Sequence, residues 1–292
     1  MRIDIRGRIG RVVRGQVRKR GYEIKKRGPI DIRTREHPVA ATLRAASMTR
    51  VTMVSEVALK RCRAETGLTV DDRHPFVATL KRGPLTGFGG SVLSLYYEGF
   101  QPITALEVLG VDGDEAPGFV GLPATAYVVP WHGVTPSAAL DRRRRWMQSE
   151  AEAWGRALTL DDGVSLFGPV SPEKGALEIE RLKGIYGSIR QDGYQRSNEA
   201  GGDVEGWILT RAEGDWCFLI RAGQHRSAAA AAAGITRIPI RLRHAAVKRE
   251  DVMYWPQVSR GLIKPEAALR VFDRYMRGEN SEADTFSDRA IG

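Results

Sequence analysis

Apolar positions along this chain follow a helical rhythm in some stretches and a strand rhythm in others. Across residues 38–65 good helix formers dominate. Val51, Val54, Val57 and Ala58 recur at helical spacing and Gly67 offers a stop, so the pattern predicts a helix there. Residues 81–90, Lys-Arg-Gly-Pro-Leu-Thr-Gly-Phe-Gly-Gly, read as a connecting loop; no strand precedes these glycines and no Gly-Lys-Ser/Thr follows them. An aromatic stretch, 94–102, leads into a short helix over 103–109, and Tyr96, Tyr97 and Phe100 read as packing residues. Residues 111–121, rich in Gly, Asp and Pro, read as a boundary.

Beyond that boundary the rhythm sharpens. Residues 126–129 predict a strand ending at Pro130-Trp131-His132-Gly133, and Ser137 caps a long helix over 138–158. That helix carries Arg142, Arg143, Arg144 and Arg145, read as a solvated face because four consecutive residues point all around a helix; Trp146, Trp154 and Leu158 are its candidates for burial. Ser171 and Pro172 form an N-cap and first-turn pair, and Leu177, Ile179, Leu182, Ile185 and Ile189 carry the next helix to Gly193. Two apolar runs, 206–210 and 216–221, joined by a polar connection containing Gly214, predict a β-hairpin. A glycine turn, an alanine helix over 227–233 stopped by Gly234, a strand over 238–242 and a C-terminal helix over 265–276 complete the pattern. The fold class expected is α+β or α/β, a small mixed sheet with packed helices, preceded by a mainly helical N-terminal region.

The turn Gly223-Gln224-His225-Arg226 carries the candidate chemistry. A strand runs into it and a helix begins with it. The first N–H groups of a helix lack internal partners, and the macrodipole places about half a positive charge there. Glycine permits close approach of the backbone, while His225 and Arg226 add a donor and a fixed cation. Phosphate suits that combination. Gly223, Gln224, His225, Arg226 and Ser227 are therefore the candidate phosphate-binding residues. A structural alternative has Gly223 only making the turn, while His225 and Arg226 hold neighbouring carbonyls or carboxylates.

Residues 175–243 resemble the ParB/sulfiredoxin-like superfamily. The shared pattern is a helix ending in Ser188-Ile189-Arg190-Gln191-Asp192-Gly193, a β-hairpin, the Gly-x-His-Arg turn, an alanine-rich helix, a glycine and an Ile-Pro-Ile strand. The resemblance implies that Gly223, His225 and Arg226 hold nucleotide phosphates, with ATP or CTP and Mg²⁺ as the implied ligands. Sulfiredoxins carry a catalytic cysteine where this chain has Gln224, so sulfinic-acid chemistry is not expected. The DNA-binding members continue into a helix-turn-helix domain, which is not expected in the 50 residues given after Leu242, with their one clear helix. The free-serine kinases of the superfamily share the His-Arg pair. Phosphoryl transfer needs one carboxylate to accept a hydroxyl proton and another to help hold Mg²⁺. Glu178 and Glu205 are the candidates, to act with His225 and Arg226 in a small-molecule kinase or a hydrolase of nucleoside triphosphates. Arg181, Asp192 and Asp203 lie near them in sequence, and His132, at a strand end that could face the same cleft, reads as structural as a lone histidine.

Charge adds a second possibility. Of the net +10, residues 1–30 hold eleven Lys and Arg against Asp4 and Glu23, whereas the rest carries 34 basic and 33 acidic residues. This arm suits RNA, DNA or an anionic membrane surface. Two alternatives follow: a nucleic-acid-associated nuclease or nucleotide-gated clamp, and a non-catalytic accessory of envelope or polysaccharide assembly. No apolar run approaches the ~18 residues of a membrane span. Cys62 and Cys217 lack metal-ligand spacing, and Cys217 sits in an apolar run, so a reduced, cytoplasmic setting is expected. The expected organisation is a basic arm (1–35), a helical region (36–118), the nucleotide-binding domain (119–245) and a helical extension with tail (246–292).

Overall fold

The computed structural model describes residues 53–82, 87–195, 203–242 and 246–280. The basic arm lies outside them. At the centre is the hairpin expected from the two apolar runs, β3 (Val204–Thr210) and β4 (Trp216–Ala222), paired antiparallel from Glu205↔Ala222 to Thr210↔Trp216. Gly206 sits beside a register shift in this ladder, where an added Cβ would lie 2.0 Å from the Leu219 carbonyl oxygen. Any side chain there would prise the two strands apart.

Among the described residues the sheet has six strands in mixed directions and is not closed. The path runs β1 (Met53–Ala58), β5 (Arg237–Leu242), β3, β4 and β2 (Cys62–Arg63), with β6 (Val247–Lys248) also on β3. This corrects the helix expected over 38–65, whose part from residue 53 on is described. Met53–Ala58 is a strand, antiparallel to β5 with Val57 opposite Ile238. Its buried Ser55 and Val57 alternate with exposed Glu56. A free sheet edge and β-branched residues outweigh local helix propensity here.

Eight helices pack around the sheet in the described residues: α1 (Pro75–Lys81), α2 (Val92–Gly99), α3 (Ala105–Leu109), α4 (Pro136–Ala153), α5 (Pro172–Asp192), α6 (Gln224–Ala232), α7 (Pro256–Ser259) and α8 (Pro265–Arg277). Ser171 caps α5 as expected, its hydroxyl accepting the Lys174 N–H. α4 begins earlier and ends earlier than expected. Thr135 is its cap and Pro136 its first residue, and left-handed Gly155 closes it with Arg156 N–H on the Ala151 carbonyl.

Residues 126–129 are likewise not a strand. A short 3-10 turn, Ala124–Ala126, leads into a buried extended segment outside the sheet. Side chains satisfy part of its backbone instead. Arg143 donates to the Thr125 and Tyr127 carbonyls, and Gln257 donates to those of His132 and Val134. Tyr96 and Tyr97 are buried as expected and donate to the carbonyls of Leu166 and Ser165. Both cysteines are buried and unbridged, and burial pushes the Cys217 thiol up to about 12. Among the described residues no helix is long and apolar enough to cross a membrane.

Candidate functional site

α6 starts at Gly223, whose φ of 90° is open to glycine and strained for other residues. An added Cβ would meet Val204 at 2.9 Å, so β3 itself shapes the turn. Ala228, Ala229 and Ala230 are buried, which lets α6 pack closely between α5 and α1. The helix has no side-chain cap. Among the described residues no protein acceptor engages the N–H groups of Gln224, His225 or Arg226.

Gly223, Gln224, His225 and Arg226 line a cavity of about 490 Å³. Its walls also hold Arg142, Arg143, Arg181, Arg221 and His132, while Glu65 is the one carboxylate among the lining residues. Five guanidinium groups thus share a cavity with an uncapped helix end, and such a region attracts anions.

The cations differ in how they are held. Arg143 is anchored by the two carbonyls, lies 3.5 Å from Glu65 and sits over the Tyr127 ring. Arg221 contacts His132 Nε2 at 2.7 Å, an arrangement a neutral imidazole accepts, and lies 4.5 Å from the Trp207 ring centre. Burial lowers the Arg221 pKa, with Glu65 acting in the opposite sense, yet no carboxylate pairs with it among the described residues. Arg226 has a buried Nη1 without a hydrogen-bond partner. The Tyr194 hydroxyl, within electrostatic reach of Arg226, is likewise buried and unsatisfied. Buried donors without partners are costly unless something fills the space they face.

Behind the wall lies a buried charge cluster. Glu178 bonds His225 Nε2 and contacts Lys174 Nζ at 2.6 Å; Glu150 contacts Lys174 at 2.8 Å and also bonds Arg181. Burial opposes ionisation of Glu178, but His225, Lys174 and Arg181 together hold its carboxyl well below the usual range. His225 is also stacked on Phe76 at 4.7 Å between ring centres. Its Nε2 is therefore committed to Glu178, and Nδ1 is the ring nitrogen without a partner among the described residues.

The expected site residues thus divide. Gly223, Gln224, His225 and Arg226 converge on the cavity. Ser227 is buried and donates to the Gln224 carbonyl, Glu178 is fully buried behind His225, and Glu205 lies on β3 outside the cavity lining. Asp203 is bonded by Arg241. His132 and two arginines of the Arg142–Arg145 run join the site. The spacing of Ala139, Arg143 and Met147 on one helical stripe was the available signal for Arg143, just as Lys174, Glu178 and Arg181 share a face of α5. Among the described residues no group of three His, Cys, Asp or Glu side chains converges to hold a metal. No family model matches the chain, and comparisons with curated proteins and with solved structures give no match.

Proposed function

We propose that this chain binds a nucleoside triphosphate, with its phosphates at the α6 end and a ParB/sulfiredoxin-like arrangement around them. One observation carries the reading: Gln224, His225 and Arg226, whose amides meet no acceptor among the described residues, line a cavity whose lining holds five arginines and one carboxylate. Backbone donors at a helix start favour phosphate oxygens, and guanidinium groups neutralise a polyphosphate. Arg226 and Arg221, neither ion-paired among the described residues, are the residues assigned to phosphate charge.

The same residues support binding more strongly than turnover. Glu65 is already engaged by Arg143 and Tyr127, and Glu178 is enclosed by Lys174, His225 and Arg181. This donor set fits phosphate and furnishes no metal cage of its own, so any Mg²⁺ would arrive on the nucleotide. Titration calorimetry of ATP and CTP into the intact chain tests the reading. Saturable binding weakened at high salt and by Arg226→Ala is expected; no binding under low salt would refute it.

A further inference from the structure

We infer that Trp146 on α4 is the platform on which the base of the bound nucleotide stacks, so that the site selects a purine by its face and size. The inference rests on the nucleotide-binding reading above and adds where the base lies. Trp146 lines the same cavity as the α6 end, yet it is 47% exposed. The other large aromatic side chains of the cavity, Tyr127 and Trp207, are buried and each has a guanidinium over its ring, at 4.4 and 4.5 Å. Trp146 has no ring or hydrogen-bond partner among the described residues. It is an indole left facing the space that the arginines surround.

Its neighbours favour stacking over edge reading. Arg142, one helical turn earlier on α4, is exposed and without a partner among the described residues, placed to add a second cation beside the ring. Val134, Leu166 and Ile185 also line the cavity, and their side chains offer neither donors nor acceptors for a base. A volume of about 490 Å³ far exceeds one phosphate and lies in the range of small-molecule sites, roughly 300–1,000 Å³. Stacking tolerates any base but strengthens with ring area, so ATP and GTP should bind alike and CTP more weakly.

The test is calorimetric titration of the intact wild type, Trp146→Ala and Trp146→Phe with ATP, GTP, CTP and inorganic tripolyphosphate. Wild type should bind both purine nucleotides more tightly than tripolyphosphate. Trp146→Ala should lose roughly tenfold to a hundredfold in affinity for ATP and GTP. It should keep its affinity for tripolyphosphate, and Trp146→Phe should retain most of the nucleotide affinity. ATP binding equal to wild type in Trp146→Ala would overturn the inference. So would wild-type ATP binding no tighter than tripolyphosphate, an outcome that leaves the phosphate cradle standing. Binding of neither ligand removes cradle and platform together.

Discussion

Two groups of cations lie on either side of the cavity wall, and they are treated oppositely. Behind the wall, Lys174 is matched by Glu150 and Glu178, with Lys174 and Glu178 fully buried, and Arg181, which reaches the cavity lining, is paired with the same two carboxylates. In the cavity, Arg142, Arg221 and Arg226 have no carboxylate partner among the described residues. A buried charge is tolerable when its counter-charge is built in. Cations left unmatched around a concave space do nothing for stability on their own, and their arrangement makes sense once an anion enters. The first group is architecture and the second is, on the proposed reading, a binding surface. His225 joins them, with one ring nitrogen on Glu178 and the ring forming part of the cavity wall.

The largest expected effect tests the architectural side. Glu178→Ala removes the carboxylate shared by Lys174 and His225, leaving Lys174 only Glu150, and should cost about 3–5 kcal/mol of stability, read by urea unfolding. A loss below about 1 kcal/mol would show that the cluster is not the support described.

The pH dependence of stability is expected to come next in size. His74 caps α1 through Nδ1, which accepts the Phe76 N–H, and burial lowers its pKa from 6.5 to about 4, with Asp71 opposing and His225 assisting. The folded state thus resists protonation that the unfolded chain accepts at 6.5. Stability is complete above that value and is lost as pH falls through 4, by about 3 kcal/mol in all. Glu178, also depressed, adds a further loss below its ordinary value of 4.5. His74→Asn keeps a capping side chain and should flatten the slope between pH 6.5 and 4; an unchanged slope there would remove His74 from the account.

On the binding side, Arg226→Ala should weaken nucleotide binding by about 1.5–3 kcal/mol, the contribution of a charged hydrogen bond. Its effect on stability should be small, because no protein partner is lost. A variant that unfolds more readily while binding normally would move Arg226 to the architectural group. The smallest effect is expected at Arg145. It is exposed and absent from the cavity lining, so Arg145→Ala should change stability and affinity by less than about 0.5 kcal/mol, as judged by unfolding and calorimetry.

The legible parts of the sequence were those specified locally. Ser171-Pro172 marks a helix start through its cap, Gly223 a turn through its φ, and the hairpin runs announce themselves by composition. Each of these depends on residues a few positions apart. The missed parts depend on distant partners. Met53–Ala58 becomes a strand because β5 offers an edge, and residues 126–129 lie outside the sheet, where Arg143 takes the Thr125 and Tyr127 carbonyls and Gln257 those of His132 and Val134 further on. The candidate site shows the same division. Its strand–glycine–helix turn was readable locally, whereas Arg142 and Arg143 looked like surface charge; Arg142 stays exposed, and the packing of α4 sets both on the cavity lining. The pairing of Glu178 with His225 spans 47 residues and left no mark at either position.

The most direct check is a calorimetric titration of ATP into the intact wild type, Arg226→Ala and Arg145→Ala at low salt. Saturable wild-type binding, at least about tenfold weaker in Arg226→Ala and unaltered in Arg145→Ala, is the predicted result. Equal affinity in all three proteins, or no binding to any, would contradict a phosphate site at the start of α6.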